Sequence, residues 1–256
     1  MLKALWSIYA LLGFSFVTAL APCSRGQRIS DTSREQQYSF RRSWSFFSEY
    51  SPDSSHIILG GARKRQFFTI GGAFTQRFFA QRYAAFSYMA EIRPFMLESD
   101  PVLKGLFYSI NIPGHQDKGY YDYPHKIPVL DTEPKIINHD SGQYYQDYQL
   151  VYDRRWTYSF GLSPVGFQAN FLPRSRIQPV LTGLGGFAAS PRDIPMFDSS
   201  AFNFTFSIGA GVEIYRTAHH ASRIEYRIQH LSSANIGATN PGIDSQVIRA
   251  SFSWGR

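Results

Sequence analysis

Period-two alternation of apolar and polar residues runs through most of this chain and constrains its fold more than any other feature. Successive side chains of a β-strand point to opposite faces of a sheet, so an alternating segment predicts a strand with one apolar face. No helical period of useful length follows residue 23. The chain is therefore expected to be all-β. Eight strands are predicted, at about 41–50, 65–79, 84–98, 156–171, 176–189, 201–215, 222–233 and 244–255.

The lengths of the strands and links indicate a membrane barrel. Many of the segments exceed the usual five or six residues of a strand, and a tilted strand needs about 9–11 residues to cross a bilayer. Links are short at 80–83, 172–175 and 216–221, and long after Tyr50, after Glu98, after Ser190 and at 234–243. Outer-membrane barrels have short periplasmic turns and long external loops, whereas a soluble β-sandwich or lipocalin-like barrel predicts no such asymmetry. We expect an eight-stranded antiparallel outer-membrane β-barrel over residues 41–256, with a long external loop at about 99–155.

Composition agrees with an outer face that meets lipid. Aromatic residues make up 16 % of the chain, and charged residues only 18 %, a mixture that favours strands over soluble helices. The formal net charge is +7. This charge does not indicate a nucleic-acid partner, because an exported protein does not meet one. Basic residues near a membrane surface suit lipid phosphates, and ordinary solvated loops explain the charge equally well.

The first residues predict an export signal. Lys3 provides a positive n-region, residues 4–17 form an apolar h-region, and Ala19-Leu20-Ala21 resembles a cleavage site. An uncleaved membrane helix is the alternative, because about 18 mostly apolar residues approach the length of a span. We assign residues 1–23 to a signal peptide whose cleavage position stays open, and residues 24–40 to a flexible N-terminal segment.

The cysteine and histidine positions give no sign of a cofactor. Cys23 is the only cysteine and lies in or beside the predicted signal, so the mature chain is expected to lack disulfides and cysteine nucleophiles. His219 and His220 are adjacent, and adjacent strand residues point apart. The remaining loop histidines show no metal-ligand spacing. We therefore expect no metal and no cofactor.

Chemistry-bearing residues concentrate in the last hairpin. Counting by twos along the strand predicted at 222–233 places His230 and Ser232 on the same face as Ile228, which is the apolar, lipid-facing side. The same count on the final strand puts Asp244 on its outer face. One antiparallel register sets His230 opposite Asp244 and Ile228 opposite Gln246.

This register predicts a nucleophilic triad. A serine hydroxyl needs a base to take its proton, and the base needs a third group to orient it. We assign Ser232 as nucleophile, His230 as general base and Asp244 as the orienting acid. Ionisable groups that face lipid are costly and therefore indicate function. The alternative is that these polar residues only mark the interface where the strands leave the bilayer.

The same residues resemble a known family. The segment 230–237, followed by 240–245, is similar to the lipid A 3-O-deacylases, also called PagL-like acyloxyacyl hydrolases. That family has a His-x-Ser-Asn segment, then an Asn-Pro-Gly-like turn, then an acidic residue 14 positions after the histidine. The runs 176–187 and 202–211 are also similar, and the resemblance covers about residues 175–256.

The resemblance implies roles for four residues, and Asn235 is a further candidate beside them. His230 matches the family's catalytic histidine, Ser232 its nucleophile, and Asp244 the position of its acid, which is usually Glu. The residue after the nucleophile is usually Asn, which helps to form the oxyanion hole, but here it is Ser233. Ser233 and Asn235 are therefore the oxyanion candidates.

The expected activity is removal of the ester-linked 3-O acyl chain from lipid A of lipopolysaccharide, by an esterase whose site faces the outer leaflet of the cell outer membrane. The resemblance also allows a homodimer. One alternative is a non-catalytic structural or adhesive barrel, which the replacement of Asn by Ser233 favours. Another is a phospholipase or acyltransferase of the same compartment, with the same nucleophile and a different substrate or acceptor.

Overall fold

The computed structural model describes residues 38–112, 114–132, 136–140 and 145–256. The signal peptide predicted at 1–23 lies outside the described residues, as does most of the flexible segment predicted at 24–40. None of the described residues belongs to a helix long and apolar enough to cross a membrane.

Ten antiparallel strands make up the described part of the chain. They are β1 (Arg42–Ser51), β2 (Gln66–Ala80), β3 (Ala84–Ile112), β4 (His115–Pro128), β5 (Ile136–Asp140), β6 (Tyr145–Phe171), β7 (Ile177–Ile194), β8 (Ser200–Tyr215), β9 (His220–Ser232) and β10 (Ile243–Gly255). Eight of them close into a ring in the order β1, β2, β3, β6, β7, β8, β9 and β10, because β3 pairs with β6 and β10 pairs with β1. The eight-stranded antiparallel barrel predicted from the sequence is confirmed. The strands β4 and β5 lie outside the ring, paired to β3 and β6 respectively.

Burial follows the predicted parity, with polar residues inside the ring and apolar residues outside. On β9 the odd-numbered residues are buried, and the even-numbered residues are exposed or partly exposed. Because backbone groups in lipid must be satisfied internally, a closed ring is one of the few ways in which strands can face hydrocarbon. The outer surface exposes large apolar side chains on many of the ring strands, among them Trp44, Phe46, Ile92, Phe167, Phe204, Phe206, Ile208, Tyr226, Ile248 and Trp254.

A network of buried ion pairs fills the inside of the barrel. Glu91 accepts hydrogen bonds from the guanidinium groups of Arg93, Arg227 and Arg249. Arg227 also bonds Glu225, with 2.7 Å between its Nε and the carboxylate Oε1. Carboxylates and guanidiniums taken out of water cost several kcal/mol each unless they are paired in this way. These ion pairs link strands on different sides of the ring, such as β3 with β9 and β10.

The segment predicted as an external loop at about 99–155 contains strands over most of its described length. β3 continues to Ile112 and β6 begins at Tyr145, and the two remain paired as far as Asn111 and Tyr145. The added strand β4 is exposed along almost all of its length. Both of its faces meet solvent, so its sequence shows no apolar–polar alternation, and period-two patterning could not reveal it.

Candidate active site on the last hairpin

The hairpin of β9 and β10 has the register that the sequence predicted. Asp244 lies opposite His230, and Gln246 lies opposite Ile228. Both strands run through the wall of the ring, so their even-numbered side chains point outwards. The side chains of Asp244 and His230 therefore project from the same, outer face of the wall, at the end of the barrel that carries the long loops.

His230 and Asp244 are joined by a hydrogen bond. The distance between His230 Nδ1 and Asp244 Oδ1 is 2.6 Å. The Asp244 side chain is fully buried, and that of His230 keeps 16 % of its surface exposed. A carboxylate only accepts hydrogen bonds, so this contact places the proton on Nδ1 and leaves Nε2 as the basic nitrogen. That arrangement is the one a general base requires.

The other oxygen of Asp244 is held by the loop between β1 and β2. Asp244 Oδ2 accepts hydrogen bonds from four consecutive backbone N–H groups, those of Ile57, Ile58, Leu59 and Gly60, at 2.5 to 3.0 Å. Backbone N–H groups that converge in this way form an anion-binding concavity. They explain how a carboxylate on the outer face of the barrel is buried without facing lipid.

This loop segment, residues 55–60, is called the acid loop below. It is fixed at both ends to β10 and to the turn before it: Ser55 N donates to the Asp244 carbonyl at 3.0 Å, and Gly61 N donates to the Pro241 carbonyl at 2.5 Å. A Cβ on Gly60 would lie 2.8 Å from Asp244 Cγ, closer than real side chains approach. Gly60 is therefore required for the loop to reach the acid.

The turn before β10 supports the histidine ring. Gly242 has a φ of +62°, a backbone region that glycine adopts readily. A Cβ at this position would lie 3.1 Å from His230 Cε1. Any larger residue at this position would therefore crowd the imidazole, and glycine leaves room for the ring.

Ser232 lies on the same face, two residues beyond His230. Its Cα pairs with Phe204 of β8, and its side chain is partly exposed. The Ser232 hydroxyl accepts a long hydrogen bond, 3.4 Å, from Ala234 N–H. Within the described residues, no hydrogen bond joins Ser232 to His230. The structure brings the acid and the base together, whereas the Ser232 hydroxyl contacts the backbone of its own turn.

The two oxyanion candidates have different environments. Ser233 is buried, and both its N–H and its hydroxyl donate to Asn240 Oδ1, at 3.0 and 3.1 Å. Its donors are therefore committed to the turn of the hairpin. Asn235 is exposed and has a φ of +63°, next to Ala234 at +50°. Asn is one of the few non-glycine residues that adopt this conformation readily, and its side-chain amide is open to solvent.

Sequence reasoning missed the acid loop. One signal was available: residues 57–61 read Ile-Ile-Leu-Gly-Gly, an apolar run ending in two glycines within an otherwise polar link. Such a run indicates a docked segment rather than a solvated loop. The partner of the run, Asp244, lies about 185 residues later, and period-two patterning carries no information on that contact.

Residues 119–253 match the protein family described as lipid A 3-O-deacylase (PagL). This match covers more than half of the chain. The chain belongs to the PagL family. It is an outer-membrane β-barrel of the lipid A deacylase type, as the sequence resemblance predicted. The region matched to PagL includes His230, Ser232 and Asp244, but not the acid loop.

Solved structures of outer-membrane proteins are similar to this PagL-family chain at low identity. Neisserial surface protein A (NspA) is 12 % identical, with a TM-score of 0.38, over 84 % of this chain and 97 % of that one. The outer membrane protein OprG from Pseudomonas aeruginosa is 12 % identical, with a TM-score of 0.41, over 84 % of this chain and 96 % of that one. No curated protein matches the chain.

Proposed function

We propose that this chain hydrolyses the ester that links the 3-O acyl chain to lipid A, with Ser232 as nucleophile, His230 as general base and Asp244 as orienting acid. The observation that carries the proposal is the 2.6 Å hydrogen bond between His230 and a fully buried Asp244 on the outer face of the barrel. A buried ion-pairing group on a lipid-facing wall is costly, and here four further backbone donors are arranged to hold it.

The reaction begins when Ser232 Oγ attacks the ester carbonyl and its proton passes to His230 Nε2. The tetrahedral intermediate collapses as the sugar oxygen leaves with that proton, and an acyl-serine remains. Water then attacks the acyl-serine while Nε2 takes its proton, and the fatty acid departs as the proton returns to Ser232. Asp244 stays ionised and stabilises the imidazolium in both steps.

We expect a side-chain rotation to bring Ser232 to His230. Residues two apart on a strand lie about 6.5–7 Å apart at Cα, a gap that a histidine and a serine rotamer can close. Catalytic hydrogen bonds are often long in free enzymes and tighten when substrate binds. A carbonyl seated at Ser232 displaces the 3.4 Å contact with Ala234 N–H and frees that N–H, together with the Asn235 amide, for the developing oxyanion.

The surroundings of Ser232 fit an acyl ester that lies in the membrane. Phe204 and Phe206 flank Ser232 and His230 on β8, and both are about half exposed on the outer wall. An acyl chain lying along this wall presents its ester to the serine without leaving the bilayer. Lipid A, the substrate in the description of the family, carries such chains in the outer leaflet.

The test is mass spectrometry of lipid A from cells that express the wild-type chain, Ser232→Ala or Ser222→Ala. Ser222 is a matched control, because it lies on the same strand and the same face, ten residues from the site. We expect the wild type and Ser222→Ala to remove one hydroxyacyl chain, and Ser232→Ala to remove none. All three should show the electrophoretic shift on heating that marks a folded barrel.

Two results would overturn the proposal. Retention of deacylation by Ser232→Ala would exclude Ser232 as nucleophile. Unchanged lipid A with a folded wild-type barrel would exclude this substrate, and analysis of total phospholipids from the same cells would then show whether a phospholipid is hydrolysed instead.

A further inference from the structure

The acid loop has two chemically different sides. Its backbone N–H groups point to the Asp244 carboxylate, whereas the side chains of Ile57, Ile58 and Leu59 are exposed by 38 %, 42 % and 72 %. Three consecutive large apolar side chains at a loop tip are unfavourable in water, and such patches usually mark contact with a protein or a membrane. These three side chains are called the apolar tip below.

The apolar tip lies on the membrane side of the barrel wall. The acid loop contacts the side chain of Asp244, which points outwards from β10. Further along the same face of β10, Ile248 is 57 % exposed, and opposite it on β9 Tyr226 is 48 % exposed. The apolar tip is thus continuous with the surface that the barrel presents to hydrocarbon, so lipid is its natural occupant rather than a protein partner.

The acid loop depends on few contacts between its two ends. Ser55 and Gly61 fix the ends through backbone hydrogen bonds to Asp244 and Pro241. Between them, its main contacts are the four N–H groups on Asp244 and a hydrogen bond of 2.8 Å between His56 Nδ1 and the Gly60 carbonyl. Any interaction that holds the apolar tip against the barrel wall therefore also helps to hold the Asp244 carboxylate in place.

We propose that Ile57, Ile58 and Leu59 insert into the hydrocarbon of the outer leaflet, and that this membrane anchor holds the acid loop on Asp244. The apolar tip is then a positioning element: it acts on the acid through the backbone, and touches neither the nucleophile nor the ester. The catalytic consequence rests on the proposed function, whereas the insertion itself does not.

Insertion is tested by spin labelling of the full chain in lipid vesicles. Leu59→Cys is labelled with a nitroxide in a Cys23→Ser background, together with Ile248→Cys as a lipid-facing reference and Asp122→Cys as an exposed reference on β4. The relaxation of each label by oxygen, which concentrates in hydrocarbon, is compared with that by a water-soluble nickel chelate. We expect position 59 to resemble 248. A label at 59 as accessible to nickel as that at 122 would overturn the proposal.

The positioning role is tested by deacylation of lipid A in the same vesicles. Ile58→Asn with Leu59→Asn should lower the rate by about tenfold to a hundredfold, because a small misplacement of a catalytic group is enough for such losses. Ile58→Val with Leu59→Met should keep the wild-type rate, since these substitutions keep the tip apolar. Leu130→Asn is the control, because it places a polar side chain at a half-exposed apolar position in another external loop. We expect it to keep the wild-type rate.

The two parts of the test separate the possible failures. An unchanged rate in the Asn pair, with position 59 in lipid, would overturn the positioning role. A rate for the apolar pair as low as that of the Asn pair would overturn the positioning role as well. Absence of activity in the wild type would remove the proposed function, while the spin labels would still decide whether the apolar tip inserts.

Discussion

His230 and Asp244 face each other across β9 and β10, and the acid is held from two directions at once. One carboxylate oxygen accepts from the imidazole at 2.6 Å, and the other accepts from four backbone N–H groups of the acid loop. Both carboxylate oxygens of Asp244 are thereby engaged, and the carboxylate cannot rotate without losing several hydrogen bonds. The orientation of the base is fixed by the barrel wall and by a loop from the other end of the chain.

Asp244→Asn should lower the deacylation rate by about 10³- to 10⁴-fold, as loss of the ionised acid does in related triads. An amide in this position has no acceptable orientation. If its NH₂ group faces the acid loop, it meets four N–H donors. If it faces His230, Nδ1 must accept its hydrogen bond, so the imidazole proton moves to Nε2 and that nitrogen can no longer act as the base. The measurement is the rate of fatty-acid release from lipid A, with Asp193→Asn on the exposed end of β7 as control. A rate within threefold of wild type would contradict a triad.

Gly60→Ala should lower the rate by about tenfold to a hundredfold while the barrel stays folded. The added methyl group meets the backbone and the side chain of Asp244, so the acid loop must move away. Gly72→Ala on β2 is the matched control, because a Cβ there makes only ordinary van der Waals contacts, the nearest with the Ser45 carbonyl at 3.6 Å. The same fatty-acid assay measures both variants. Equal effects at the two positions would show that the acid loop does not position Asp244.

Much of the barrel and of the hairpin could be predicted from the sequence, because period two links each residue to a face. The pairing of His230 with Asp244 followed from two constraints: both residues lie on the outer face, and the hairpin joins neighbouring strands. Once the register is set, the acid and the base can only meet on that face.

The remainder of the site depends on contacts that local patterns do not encode. The docking of the acid loop on Asp244 joins the first external link to the last strand. The commitment of Ser233 to Asn240 depends on the backbone path of the turn, where Ala234 and Asn235 adopt positive φ. Neither feature alters the alternation of the strands, so period-two patterning predicts neither contact.

Asn235→Asp should lower the rate by about 10²-fold or more, because a carboxylate removes an oxyanion donor and repels the developing charge. Asp also tolerates positive φ, so the turn is retained. Ser233→Ala should leave the rate within a few-fold of wild type, since its hydroxyl is bonded to Asn240. Fatty-acid release from lipid A, followed over the first turnovers, measures both. A larger loss in Ser233→Ala would reverse the assignment and make Ser233 the donor.

Arg227→Met should destabilise the barrel without a direct effect on the reacting groups. The Arg227 guanidinium is fully buried and bonds Glu225 and Glu91, and removal of one partner leaves those carboxylates incompletely paired. Breaking a buried network in this way costs about 3–5 kcal/mol. The temperature at which the folded band disappears on an unboiled gel should fall, whereas Arg42→Met, at an exposed position on β1, should leave it unchanged. The same midpoint in both variants would mean that the lumen network contributes little to stability, and that backbone pairing around the ring is what keeps the barrel closed.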